Sequence, residues 1–308
     1  MVVRVNVVNP AVGAAYEPWW PSPFGADDQI GMLNHITDAT RRTAMELARE
    51  GRLYDLGRVL DENAPVFPGR YFRQTLVTTA HHTNARGESM RGVGDNNVNW
   101  ITEVVSGTMQ LGTHIDALSH LQVGDRGYNG WSAAEIAEPW GTNRLGAETI
   151  PQIVTRGYLV DVASGRGKTL GVGDVITVDD VVRALDGIDL QRGDAVLFHT
   201  GWGEHWSDPD KYLSGEPGPG LELANWLADH GVALTGCDTW SFGPVPAENP
   251  ARPFECPQFL NVRRGVFVVE NLDTAALAAD GVRQFALVLT HPKLRGATGA
   301  WTSPIALV

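Results

Sequence analysis

The sequence predicts an α/β fold built as one large domain. In the second half of the chain, apolar runs of strand length alternate with at least three helical segments. The 308 residues include 35 glycines and 18 prolines, which imply many tight turns and disfavour a helix bundle. No linker, internal repeat or low-complexity tract divides the chain. Hydrophobic residues make up 43% and charged residues 19%, so a chain of this length can bury a large core. Residues 1–23 read as an N-terminal arm and residues 24–308 as a single domain.

The elements follow in order. The loop-like stretch 1–25 carries Trp19, Trp20 and Phe24 among prolines, a composition for packing on a neighbouring subunit, on the chain itself or along a pocket rim. Thr37 or Asp38 caps a helix over 39–51, which Gly51 stops. Residues 53–60 and 71–80 read as strands, the second rich in Thr, Val and aromatics. His81 and His82 follow; adjacent strand residues face opposite ways, so both read as rim or solvent histidines. The polar, Gly- and Asn-rich stretch 83–98 reads as a loop and a mobile lid. Residues 100–111 read as extended and 132–138 as a short helix.

Beyond these, 158–162 reads as a buried strand. Thr177 to Asp180 caps a helix running to about residue 186. A strand within 193–202 ends at His199, which reads as structural more readily than as a ligand. Leu221, Leu223, Ala224, Trp226 and Leu227 give 220–230 an apolar helix face. Residues 232–238 read as the next strand, and 284–290 as the last one.

Residues 109–120, M-Q-L-G-T-H-I-D-A-L-S-H, hold the chemistry. If the first part is extended, Gln110, Gly112, His114 and Asp116 share a face. A helix would swing Asp116 away from His114. The extended reading gathers an imidazole, a carboxylate and an amide oxygen, with space for an ion over Gly112. Such a set suits Mn²⁺ or Zn²⁺, the oxygens tilting it toward Mn²⁺. His120 stands where a proton shuttle is useful. The plainer alternative is a hydrogen-bonded strand end.

The formal net charge is −12, which argues against nucleic acid and anionic membrane as partners. Cys237 and Cys256 allow one disulfide but do not require it. Residues 1–8 lack the apolar core of a signal peptide, and no run approaches the roughly 18 apolar residues of a membrane span. A cytoplasmic protein is expected.

Gly112-Thr113-His114-x-Asp116-x-x-x-His120 resembles the signature H-x-G-T-H-x-D-x-P-x-H of the Putative cyclase superfamily. Its members include bacterial kynurenine formamidase, isatin hydrolase and trans-dienelactone hydrolase. Further matches run in consistent order. Phe24-Gly25 to Asn34 resembles the W-G-x-x-D-x-x-G-x-L-N segment of the longer members. Asp55-Leu56, Pro65 to Gly69, Asp125 to Gly130, Gly193 to Trp202, Arg264 to Leu272 and Gly296 to Ala300 resemble other family passages. The sequence departs from the pattern in three places. Gln110 replaces the first histidine ligand and Leu118 the usual proline. Cys256, Pro257 and Gln258 occupy the region where relatives often carry a distal histidine.

The resemblance implies a mixed, highly curved sheet with helices packed outside (a swivelling β/β/α fold), and a homodimer or homotetramer. It implies metal-dependent hydrolysis of a small cyclic amide or lactone, or of an N-acyl bond of the formamide type. His114 and Asp116 carry over as metal ligands, with Gln110 third by alignment. His120 is the acid/base. Glu270 is the distant candidate, as ligand or as partner of a ligand, with Gln258 behind it. Two absent histidines favour one Mn²⁺ or Zn²⁺ per chain over a binuclear site. Trp100, Trp131 and Phe24 are candidates for an apolar pocket wall. Two rival readings are a non-hydrolytic cyclase or dehydratase in a biosynthetic pathway and a metal-free binding protein on the same scaffold.

Overall fold

A computed structural model describes residues 18–78, 94–98 and 100–308. His81, His82, most of the expected 83–98 loop and residues 1–17 of the arm lie outside the described residues.

The strands are β1 (Leu53–Asp55), β2 (Phe72–Thr78), β3 (Thr102–Gly107), β4 (His114–Asp116), β5 (Ala137–Glu138), β6 (Gly141–Thr142), β7 (Ile153–Asp161) and β8 (Val175–Ile176). They continue as β9 (Ala195–His199), β10 (Gly218–Pro219), β11 (Leu234–Cys237), β12 (Phe267–Glu270), β13 (Gln284–Leu289), β14 (Gly299–Trp301) and β15 (Ile305–Leu307). Nine of them form one curled mixed sheet in the order β1-β15-β13-β7-β9-β11-β12-β4-β14. Its centre, β7-β9-β11-β12, is parallel. Both flanks are antiparallel. The α/β expectation and the curved mixed sheet with helices around it both hold.

Two cores lie on the two faces, and the alternation of strand residues assigns them. Leu159, Leu197, Phe267 and Val269 join Ile115 and Phe285 in one cluster. Tyr158, Val160, Val196, Phe198 and Val268 join the helix Leu221–Asp229 through Leu223, Ala224 and Leu227 in the other. By the same alternation Glu270 falls on the face of Val268, at the carboxyl end of β12. Open α/β sheets usually place ligands at that end of their parallel strands.

Several elements differ from the sequence expectation. The first helix spans Asp38–Met45, capped by Thr37 with Thr40 closing a capping box. It stops well before Gly51 because the chain turns after Met45. The Glu50 and Arg52 N–H groups then donate to the Val308 carbonyl. The 53–60 strand shrinks to β1, since after Asp55 the backbone reaches other partners: Arg58 N–H donates to Thr113 Oγ1. A short helix Glu255–Gln258 and a wider turn Phe259–Arg264 precede β12. Gln284–Leu289 is not the last strand, since β14 and β15 follow. Cys237 and Cys256 are both free and buried, so no disulfide forms.

In the arm, Trp19 and Trp20 pack on the chain's own turn. Trp19 Nε1 donates to the Gly127 carbonyl at 3.1 Å, and Ser22 N–H donates to Asn129 Oδ1 at 2.6 Å. Among the described residues no helix is long and apolar enough to cross a membrane.

The Val178–Ala184 helix shows how a sequence signature becomes stability. Thr177 caps it, and Asp180 accepts from the Thr177 N–H and hydroxyl. Arg166 grips the same carboxylate with two nitrogens. Burial alone would raise the Asp180 pKa, but Arg166 and Thr177 outweigh it and hold it at about 2. A depressed folded pKa stabilises above the ordinary carboxylate pKa and is lost as pH falls toward 2. Asp180→Asn should therefore lower the melting temperature at pH 7, by an amount worth roughly 1–2 kcal/mol after allowing for the partly exposed Arg166. The gap to wild type should shrink between about pH 4 and pH 2 in a pH series of melting curves. A gap that stays constant would remove Asp180 from the acid response.

Candidate active site

The site begins as a strand register. β4 runs antiparallel to β12 with His114 opposite Glu270, and antiparallel to β14 with Asp116 opposite Gly299. His114 and Asp116 leave β4 on one face while Ile115 enters the core on the other. Glu270 meets His114 as a cross-strand neighbour on that same face. Gly299 keeps the place opposite Asp116 clear. A β-carbon there would stand 2.8 Å from Gln110 Nε2 and 2.9 Å from the Ile115 carbonyl oxygen.

His114 Nε2 lies 3.5 Å from Asp116 Oδ1 and 3.3 Å from Glu270 Oε2. One ligand atom from each residue lies within 4.8 Å of the others, and all three residues are buried. His114 Nδ1 stands 2.8 Å from the Gly112 carbonyl oxygen, which can only accept, so Nδ1 carries a proton. Nε2 is thereby aimed at two carboxylates. Among the described residues Nε2 and Asp116 Oδ1 have no hydrogen-bond partner, although both are buried.

The electrostatics agree. Burial lowers the His114 pKa, but Glu270 and Asp116 outweigh it and raise it overall. Burial first, and Asp116 second, raise the Glu270 pKa. Both shifts express one deficit of positive charge. Two carboxylates and an imidazole nitrogen form a donor set that fits a divalent cation.

The surrounding hydrogen bonds fix these groups. Thr113 Oγ1 donates to the Asn271 carbonyl at 2.7 Å. Asn271, next to Glu270, sits at φ +56°, donates its N–H to the Thr239 carbonyl, and accepts the Tyr212 hydroxyl at 2.9 Å. Gly112 lies at φ +57°, so residues 109–113 bend and the strand begins only at His114. The expected run of extended backbone from Gln110 is therefore corrected. The left-handed Gly112 is what carries its carbonyl back to His114 Nδ1.

Gln110 still reaches the site's edge. Its Nε2 donates to Thr298 Oγ1 at 3.1 Å, across Gly299 from Asp116. His120 follows the turn closed by its N–H on the Ala117 carbonyl, and lines a cavity of about 140 Å³ with Asp116 and Glu270. Gln258 is not brought in, because its amide donates to the Gln122 carbonyl. His199 lies elsewhere, with Nδ1 2.8 Å from Thr274 Oγ1.

The cavity wall differs from expectation. Trp100 is exposed, Trp131 packs on the core under Arg144, and Phe24 packs edge-on against His35. The wall is instead Phe67, Trp240 and Phe254. Phe67 lay in the Pro65–Gly69 passage, which was a usable signal. Nothing local marks Trp240 or Phe254 as neighbours of the site.

Glu216 was also not foreseen. It is fully buried, and its Oε2 accepts the Trp240 N–H at 2.8 Å and the Ser241 N–H at 3.2 Å. Burial, and after it the charge of Glu270, push its pKa well above the usual carboxylate value, against the pull of the two N–H donors. It anchors the loop that presents Trp240.

The "Putative cyclase" family model matches residues 54–244, more than half of the chain. A solved structure described as a novel cyclase is 28% identical, with a TM-score of 0.82 over 92% of this chain and 98% of its own. Isatin hydrolase A from Labrenzia aggregata is 18% identical, with a TM-score of 0.63 over 88% of this chain and 99% of its own. The enzyme from Ralstonia solanacearum is 20% identical, with a TM-score of 0.62 over 89% and 98%. At these identities the two hydrolases show a shared fold. No curated protein matches. The register, the buried triad and the family match lead to one conclusion: the chain belongs to the Putative cyclase family.

Proposed function

We propose that the protein is a metal-dependent hydrolase that opens a small cyclic amide or lactone, or cleaves an N-acyl bond. The observation that carries this reading is the buried cluster of His114 Nε2, Asp116 and Glu270, in which two atoms have no hydrogen-bond partner among the described residues. The isatin hydrolases of the same fold support a small cyclic substrate of amide type.

His114, Asp116 and Glu270 would hold one Mn²⁺ or Zn²⁺ per chain, with the Gln110 amide as a further candidate donor. When bound, such an ion supplies Lewis acidity toward a substrate carbonyl and brings the pKa of water in the site toward about 7. The chain's own residues supply the rest. The Gly112 carbonyl fixes the His114 ring, so Nε2 faces the Asp116 and Glu270 carboxylates. His120 lines the cavity beside both carboxylates and is placed to take a proton from the attacking water. It returns that proton to the leaving nitrogen or oxygen, a role worth roughly 10²–10⁴ in rate. Phe67, Trp240 and Phe254 cover an apolar substrate and exclude bulk water.

We read the functional unit as a homodimer or homotetramer. Among the described residues the β2–β3 ribbon pairs only with itself and exposes Leu76, Val77 and Val104, with Ile101 exposed just before β3. Apolar ribbons of this kind are usually covered by a partner.

Elemental analysis of protein purified without chelator should find about one Mn or Zn per chain. His114→Ala should lose the metal and the activity together, read on a panel of lactones, lactams and formamides. His120→Ala should keep the metal and lose roughly 10²–10⁴ in kcat. Unchanged turnover in that variant would remove His120 from the mechanism, and no metal uptake even in excess Mn²⁺ or Zn²⁺ would sink the hydrolase reading. Light scattering should give a dimer or tetramer, with Ile101→Glu/Val104→Glu moving the mass toward one chain. A monomeric wild type would overturn that assignment.

A further inference from the structure

Arg70 lines the same cavity as Asp116, His120 and Glu270. Its N–H donates to the Phe67 carbonyl, so one turn sets both residues. Its guanidinium carbon lies 5.6 Å from the Phe67 ring centre. Phe67 stands 5.5 Å from Trp240, and Trp240 stands 6.2 Å from Phe254. A cation and three aromatic rings therefore form a row along the cavity.

One guanidinium nitrogen of Arg70 donates to the Gln110 carbonyl at 2.7 Å. An arginine has five N–H donors in a planar fork, so most of them stay available. Among the described residues Arg70 forms no ion pair. Arg166 is matched by Asp180 and Arg264 by Asp229, whereas Arg42, Arg144 and Arg283, like Arg70, have no ion pair among the described residues; what sets Arg70 apart is its place in the cavity wall. With 36 acidic against 24 basic residues, an unmatched arginine facing a reaction centre is a specific feature. A divalent ion would balance the two carboxylates of the triad, and Arg70 would leave the cavity one positive charge in excess.

We propose that Arg70 is the anion-recognition residue of this site, and that the substrate is a flat apolar molecule bearing its own carboxylate. The flat body lies along Phe67, Trp240 and Phe254, and the carboxylate pairs with the Arg70 fork. Hydrolysis creates a second carboxylate at the reacting carbon, beside the triad. Arg70 serves the one the substrate already carries. The substrate half of this proposal rests on the hydrolase reading; the anion site does not.

The test uses 4-fluorobenzoate and its neutral counterpart 4-fluorobenzamide as probes, with binding followed by ¹⁹F NMR. Wild type is measured as purified and after chelation, beside His114→Ala, Arg70→Gln and Arg70→Lys. A charge-assisted hydrogen bond predicts that benzoate binds roughly ten- to a hundredfold more tightly than benzamide. That preference should persist in chelated wild type and in His114→Ala, disappear in Arg70→Gln, and survive in part in Arg70→Lys. Melting curves establish that each variant is folded. Equal binding of the two probes by wild type overturns the proposal, as does a preference that survives Arg70→Gln. A preference lost on chelation or in His114→Ala, with Arg70 intact, shows that a metal ion holds the anion and also overturns it. Failure of the protein to load any metal would sink the hydrolase reading while leaving this measurement readable on the metal-free protein.

Discussion

Buried negative charge without a proton donor is the constraint around which this protein is arranged. Asp116, Glu270 and the His114 Nε2 lone pair converge at the buried wall of the cavity. Two unit charges 4 Å apart interact by about 4 kcal/mol at the effective dielectric of a protein. A fold can carry that repulsion only if something positive offsets it or if other interactions hold the groups in place. Here the holding is visible. The β4 register fixes His114 against Glu270, Thr113 ties β4 to Asn271, and Gly299 keeps a β-carbon out of the cluster.

Some of the chain's departures from extended or right-handed backbone stand at the same place. Gly112 and Asn271 are left-handed and lie next to the ligand-bearing segments, and the bulky Phe254 at φ +56° stands in the cavity wall. Non-glycine residues in this region cost of order 1–3 kcal/mol each. Asn271 is restrained on three sides, by Thr239, Thr113 and Tyr212. Strain held by so many partners marks geometry that the rest of the fold is built to maintain.

What could be read from the sequence follows from how local each signal is. His114 and Asp116 were legible because one alternation inside β4 decides their faces. Extending that alternation to Gln110 failed at Gly112, whose left-handed turn depends on a carbonyl reaching His114 Nδ1. The Thr37 and Thr177 caps were legible because a capping box spans four residues. The end of the first helix was not, because it depends on Val308 at the far end of the chain. β14 and β15 are three residues each and exist by pairing with β4, β13 and β1, so no periodicity announces them. The aromatic wall joins residues 67, 240 and 254 from separate loops. Its cause is tertiary, and the tryptophans most conspicuous in the sequence, Trp100 and Trp131, went to the surface and the core edge instead.

Two histidine–aspartate pairs lie near the same end of the sheet, and comparing them explains why one is a site. Asp238 and Asp116 are almost equally buried, at 1% and 2% exposure. Each stands 3.5 Å from a histidine nitrogen. Asp238 accepts from the Thr200 N–H and hydroxyl and from the Gly201 N–H, at 2.6–3.0 Å, with the Gly203 N–H at 3.4 Å. Its charge is met by the turn it organises, and His199 spends Nδ1 on Thr274. Asp116 Oδ1 accepts nothing from the described residues, and neither does His114 Nε2. The same residue types at the same depth therefore serve opposite ends. Where the protein supplies the donors, the carboxylate is structural. Where it withholds them, two carboxylates and an imidazole nitrogen are left as a donor set that fits a divalent cation, which is why this pair and not the other is the candidate site.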